Sequence, residues 1–421
     1  MDFVSSALIT LTQPSGFWPS ILNVFKGATG TYIVAVILIA VIIRVLLSVV
    51  DVINKKVSAK SNGVMAKMKP ELDAIQKKYG HDPKLMSQKQ NEVYRKYQFN
   101  MMGSCLPMLI SLVLQMVVFL TLWNSLQSMA NFNVVEKYEN MKTIYANVIE
   151  LNSEDLNHII EYDDGDELSI EIDFDKKKMT IKNKTDNIEY DRDFKTNLSN
   201  EEIYTNLINV YVNKGTTENP NAEYQDTTYN DALVKLAQST VEKYYNDSQE
   251  GFLWIKNIYR PESPTSPIFS KDEVKKYMSS FYSEAEKNTE KSKDYEGKIF
   301  DYVVTNTFDG KDLGRNGYYI LTIIAVAASF FSMWLSNRLM RNKNAPAQKS
   351  NMLMYFILPI IMGIFTFMYT SLFAIYIIVG QLVMIALTPL TTLIVKKWNS
   401  HDEKKNHDKN VIDVDYRRKD I

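Results

Sequence analysis

The stretch Thr31–Val50, TYIVAVILIAVIIRVLLSVV, decides how this chain reads. It is an almost wholly apolar run of about 20 residues, the length that crosses a bilayer as a helix. One charge interrupts it, Arg44. Its neighbours a helical turn away, Ala40, Val41, Leu47 and Ser48, are uncharged, and the nearest acid on that face is Asp51, two turns on. An arginine within a span costs several kcal/mol even on mild scales. It therefore snorkels toward the helix end, roughly 9 Å away at 1.5 Å per residue, or faces a partner or a hydrated cavity.

Working outward, four further apolar runs follow: Cys105–Leu126, Tyr318–Leu335, Asn351–Thr370 and Leu372–Val395. The averages over 421 residues, 46% apolar with a net charge of -1, conceal this concentration into blocks. The chain reads as a mainly α membrane protein with five transmembrane helices. Lys and Arg crowd alternate loops: eleven lie between Lys55 and Lys96, then come Arg338, Arg341, Lys343 and Lys349, and Lys396 and Lys397 close the last span. Basic loops stay in the cytoplasm, which places the N-terminus outside and the C-terminus inside. The resulting divisions are an extracellular leader with an interfacial helix (1–29), spans at 30–52, 104–127, 317–337, 351–371 and 372–396, a cytoplasmic hairpin (53–103), a cytoplasmic loop (338–350), an extracellular insertion (128–316) and a cytoplasmic tail (397–421).

The short apolar run at the N-terminus lacks a basic region before it, so no cleavable secretory signal is expected. Cys105 is the only cysteine, which leaves the outer segment without a disulfide. The four histidines match no metal-ligand spacing, and no nucleotide loop or nucleophile motif is present. Neither a cofactor nor an enzymatic activity is expected.

In the polar segment after the first span, Val64, Met68, Leu72, Ile75 and Tyr79 recur at three- and four-residue steps. Gly80 ends that pattern, Asp82-Pro83 begins another, and Met86, Val93 and Tyr97 continue an apolar stripe. This predicts an antiparallel helical hairpin with a basic outer face suited to a partner or to anionic lipid headgroups. Met65, Met68 and Met86 offer adaptable contacts to varied apolar segments. Before the first span, Trp18–Phe25 has the spacing of an aromatic-rich helix lying in the membrane interface.

The segment from Gln127 to Asn316 holds 37 acidic against 23 basic residues. Leu168–Phe174 alternates as a strand, and Lys178–Lys182 and Asn187–Tyr190 follow in the same manner. Glu201–Val212 and Thr228–Tyr245 read as helices, and Lys271–Tyr295 as a charged helical stretch. A small α+β domain is expected here.

Three spans carry polar stripes at helical spacing: Ser104, Ser111 and Gln115; Thr322, Ser329, Ser332 and Ser336; Gln381, Thr388 and Thr392. Small polar residues often join membrane helices, each contributing about 1 kcal/mol. The stripes nevertheless favour the cytoplasmic half, where Arg44 lies, and that bias fits a polar cavity open to the cytoplasm.

These residues resemble the YidC/Oxa-type membrane protein insertase family. The resemblance rests on IIRVLL around Arg44, on the basic hairpin leading into GSCLPMLISLVLQMVVFLTLW, on Phe252-Leu-Trp-Ile255, and on PIIMGIFTFMYTSLFAIYIIVGQ from Pro359 to Gln381. It covers roughly residues 15–127, 251–267 and 315–397. It implies an insertase with a substrate groove at Arg44, to whose lining the polar stripes add Ser111, Gln115, Ser329, Ser332, Gln381 and Thr388. The implied partners are nascent membrane proteins, the ribosome through hairpin and tail, membrane lipids, and optionally the Sec translocon; DNA is not among them. The sequence departs from the family in its acidic insertion after the second span, in Ile377 where many relatives have tryptophan, and in Ser332-Met333 near a position that is often glutamine. A small-solute transporter or channel, and a membrane-anchored extracellular ligand sensor, are the rival readings.

Overall fold

The computed structural model describes residues 11–99, 101–151, 168–183, 188–196, 198, 200–212, 227–282, 297–340 and 351–419. The chain divides into two compact units: Ile21–Leu126 with Tyr319–Ile421, and Met1–Ser20 with Gln127–Tyr318.

The first unit is helical. After α1 (Phe17–Thr29), which includes the expected aromatic segment, α2 runs unbroken from Tyr32 to Tyr79. The first span and the first arm of the hairpin are thus one helix of 48 residues, continuing through Pro70. Its apolar part has two faces. Ile33, Val36, Ile39, Ala40, Ile43 and Leu47 are buried, whereas Val34, Leu38, Ile42, Val45 and Val49 are exposed. An exposed face made of β-branched and leucine side chains suits lipid and not water.

Helix α3 (Pro83–Lys96) returns against α2. Asp82 caps it, its carboxylate accepting the N–H groups of Lys84 and Leu85, and Pro83 needs no donor in the first turn. Lys96 Nζ and the Tyr97 hydroxyl both donate to Glu71 Oε1 at 2.7 Å, tying the arms together. The expected hairpin is present.

Helix α4 (Met101–Ile149) continues well past the apolar run that begins it. Helices α8 (Ile320–Met340), α9 (Asn351–Met368) and α10 (Ser371–Lys419) follow the outer unit in the chain. Among the described residues, four helices, α2, α4, α8 and α10, are long and apolar enough to cross a membrane. The fourth expected span, α9, is 18 residues long, and its stretch Pro359–Met368 is apolar. Helix α8 packs on both α9 and α10, and α10 on α2. Gly363 permits the approach of α9 to α8, since a Cβ there would lie 2.6 Å from Val326 Cγ2.

The second unit holds the later part of α4, a three-stranded antiparallel sheet in the order β1-β2-β3, and α5 (Asn200–Val212), α6 (Thr227–Asp247) and α7 (Lys271–Phe281). The strands are Leu168–Asp173, Lys178–Asn183 and Ile188–Asp193. Ile170 pairs with Ile181, and both are buried with Met179 on the core face. On the other face Lys182 bridges Glu171 and Glu189, each at 3.0 Å. The core is completed by Tyr138, Met141, Ile144, Tyr145 and Val148 of α4 and by Leu233, Ala237 and Val241 of α6. A π-helical turn, Asp301–Thr305, adds Val303 and Val304. Within the expected helical stretch Lys271–Tyr295, α7 stops at Phe281, and residues 283–296 lie outside the described ones.

Candidate functional site

The site is built on α2 and α10. Arg44 is half-buried, and its Nε is buried without a hydrogen-bond partner among the described residues. Such a nitrogen in an apolar setting costs free energy unless water or a ligand reaches it. The guanidinium lies against the backbone of α10 at Gly380, where a Cβ would meet Nε at 2.8 Å, Nη2 at 3.3 Å and Cζ at 3.5 Å. Arg44 also acts electrostatically on Tyr376, one helical turn before Gly380, and on Asp51 of its own helix.

Helix α4 contributes differently along its length. Near one end of its apolar run it is held by rings: Phe119 meets Phe365 and Phe373 edge-on at 5.5 and 5.4 Å, and Trp123 meets Tyr369 at 4.9 Å. Before Phe119 most of its described side chains are exposed. Leu106, Leu109, Ile110, Leu112, Val113, Leu114, Met116 and Val117 are each 43–60% exposed. They cover a broad arc of the helix and leave a narrower face that carries Ser111 and Gln115. Ser111 is the exception at 3% exposure, and it accepts a 3.0 Å hydrogen bond from Gln115 Nε2, which is half-buried.

The polar stripes of α8 and α10 are largely buried. Ser329, Ser332, Thr388 and Thr392 are all below a tenth exposed, whereas Thr322, Ser336 and Gln381 are half-buried. Thr388 donates back to the Met384 carbonyl and Thr392 to the Thr388 carbonyl, both at 2.7 Å. Such back-bonding satisfies a hydroxyl within its own helix, so these threonines are adapted to helix packing. Ser329 Oγ has no partner among the described residues. Of the residues expected to line the groove, Gln381 adjoins the Arg44 contact in sequence. No hydrogen bond among the described residues links Arg44 to Ser111, Gln115, Ser329, Ser332 or Thr388. The side chain of Ser104 lies outside the described ones.

Beyond the spans, α2 and α10 stay together. Lys55 Nζ donates to Thr391 Oγ1 at 2.6 Å, and Lys56 Nζ sits 3.6 Å from the centre of the Trp398 ring. In the hairpin, Met68 is fully buried, whereas Met65 and Met86 are half-buried. Met68 is therefore packed within the fold and does not offer the open contact expected of it. Sequence reasoning missed Gly380 and the aromatic set. Both left a signal: a lone glycine among bulky residues in IYIIVGQLVMI, and rings at four-residue steps at 119 and 123 and at 365, 369 and 373.

Residues 24–165 match the family model described as 60Kd inner membrane protein. Proteins named membrane protein insertase YidC are similar over part of the chain. That of Clostridium tetani is 32% identical over 90 residues, 21% of this chain and 39% of the relative. That of Fusobacterium nucleatum is 29% identical over 103 residues, 24% and 48% respectively. That of Oleidesulfovibrio alaskensis is 36% identical over 105 residues, 25% and 18%. The match spans less than half the length of each of these relatives. No solved structure matches the chain. The matches bear out the resemblance to the insertase family.

Proposed function

We propose that this member of the YidC/Oxa-type family is a membrane protein insertase, moving hydrophobic segments of nascent proteins from the cytoplasm into the bilayer. The observation that carries the reading is Arg44, a charge inside an apolar helix whose buried Nε has no hydrogen-bond partner among the described residues. A cation placed inside an apolar helix of a membrane serves a ligand or a path for charge. In an insertase it attracts acidic residues in the tail of an incoming segment.

The five-span topology, with the N-terminus outside, puts the hairpin and the end of α10 in the cytoplasm, where a ribosome presents its product. Met65 and Met86 remain open enough there to meet varied apolar sequences. The exposed apolar arc of α4 then offers a surface along which a helix slides into lipid. The membrane potential assists by about 2.3 kcal/mol per charge per 100 mV as an acidic tail moves toward a positive exterior. Partitioning of the substrate supplies the remainder.

The test compares Arg44→Ala and Arg44→Lys in reconstituted membranes, using a single-span substrate with an acidic translocated tail. Arg44→Ala is expected to lose most insertion and Arg44→Lys to keep much of it, because the charge and not a bidentate fork is at work. Undiminished insertion by Arg44→Ala would refute the electrostatic role.

A further inference from the structure

We infer that Gly380 is a positioning residue for Arg44, its missing side chain forming the seat in which the guanidinium lies. The inference rests on the insertase reading and assigns a second residue to its groove.

Two observations carry it. The first is the close approach: a Cβ on residue 380 would come within 2.8 Å of Nε and 3.3 Å of Nη2, and the first of these is closer than a side-chain carbon packs against a neighbour without a bond. The second is the neighbourhood. From Leu372 to Ile378, α10 is continuously buried, so the helix is fixed just where it passes Arg44. The obstruction raised by a methyl group at 380 is therefore relieved by the long, flexible arginine and not by the helix. Gly380 carries no positive φ, and its backbone is ordinary helix. Alanine is the better helix former at such a position, so the glycine weakens α10 without a backbone reason for being there. Room for Arg44 supplies the reason.

The geometry also sets orientation. With the face of Gly380 against Nε and Cζ, the guanidinium is supported from one side, and its charge is held for whatever approaches from the other. An alanine at 380 tilts the group away and leaves the charge in the membrane, wrongly placed.

The experiment uses the full chain in proteoliposomes, with Gly380→Ala, Arg44→Ala, Arg44→Lys and the double variant Gly380→Ala/Arg44→Lys. Two substrates are compared, identical except for an acidic or a neutral translocated tail. Gly380→Ala is expected to slow insertion of the acidic-tailed substrate several-fold, to leave the neutral-tailed one within about twofold, and to melt no lower than the parent. Lysine has no planar fork to clash, so the double variant should match Arg44→Lys alone. A lowered melting temperature, an equal loss for both substrates, or a double variant clearly worse than Arg44→Lys would assign Gly380 to helix packing and overturn the inference. So would normal insertion by Gly380→Ala beside a defective Arg44→Ala. If Arg44→Ala itself inserts normally, the arginine's role falls and the glycine's with it, and that failure is read from a different variant.

Discussion

The carboxylate of Glu262 accepts the indole N–H of Trp254 at 2.9 Å. The same oxygen accepts the backbone N–H of Tyr318 at 3.2 Å, and the residue is only 1% exposed. Gly317, at φ +133, brings the backbone against this carboxylate, where a Cβ would lie 2.5 Å from Glu262 Cγ. Trp254 stands in a tight turn in which Phe252 and Ile255 exchange two 2.9 Å backbone hydrogen bonds. One buried acid thus joins the Phe-Leu-Trp-Ile motif to the segment leading into α8. Glu262→Ala leaves two donors without this acceptor and should cost about 2 kcal/mol, an unmade bond costing about 1–3. Glu262→Gln keeps an acceptor oxygen and should cost less. Thermal unfolding of the two variants in detergent ranks them.

A second buried charge makes a sharper case. Lys142 Nζ lies 2.7 Å from Glu139 Oε2, both side chains are at most 1% exposed, and the lysine also donates to Asn200 Oδ1 at 2.9 Å. The Tyr282 hydroxyl donates to the other carboxylate oxygen. Removing one partner strands the other in the core, so Lys142→Met should destabilise the outer unit by about 3–5 kcal/mol. The double variant Lys142→Met/Glu139→Leu should recover most of that loss, because an apolar pair replaces an ionic one at little net cost. Hydrogen exchange along α4 beyond Gln127 reports both.

Lys137 gives the outer unit a pH dependence. It lies beyond the apolar run of α4, where its Nζ donates at 2.6 Å to the Ser248 carbonyl just past the end of α6. Burial pushes its pKa down to about 7, with Glu250 and Glu136 opposing the shift. The unfolded lysine keeps its proton up to the ordinary value of 10.5. Between these limits the unfolded state binds more protons, so stability rises with pH; below about 7 both states are protonated and the slope vanishes. From pH 7 to 9 the gain should be about 2 kcal/mol, two pKa units being worth about 2.7 at most. Lys137→Met should abolish this slope. Hydrogen exchange of α6 at the two pH values checks it.

Much of the fold was legible because the bilayer demands long apolar runs and the sheet demands strict alternation. Arg44 stood out for the same reason, as one charge in a run of aliphatic residues. Two features were hidden. The continuity of α2 beyond the end of its apolar run has no hydropathy signature, since the polar pattern after Asp51 is helical in its own right and simply keeps the same register. The polar stripes were visible, but their surroundings were not. Spacing puts Ser329, Thr388 and Thr392 on faces of their helices, and only packing shows that those faces are buried and that both threonines bond to their own backbones. Met68 illustrates the same limit, because an apolar residue on a hairpin stripe serves packing or capture with equal ease until its neighbours are in place.

The aromatic set on α4 separates general architecture from charge recognition. Phe119 and Trp123 hold one part of the helix to Phe365, Tyr369 and Phe373, while Leu109, Ile110, Val113 and Val117 of the other part are exposed. Edge-on ring pairs contribute about 0.5–1.5 kcal/mol each beyond burial, and in lipid such packing replaces the hydrophobic drive that joins helices in water. Phe119→Ala removes two of these contacts at once. It should raise hydrogen exchange at the Phe119–Leu126 end of the span and lower insertion of acidic- and neutral-tailed substrates to the same degree, several-fold in each case. Phe119→Leu fills most of the space without the ring edge and should fall between. Arg44 variants, by contrast, should discriminate between the two tails. If Phe119→Ala instead affected only the acidic tail, the rings would be acting on Arg44 through α10, since Phe373 lies on that helix two turns before Gly380.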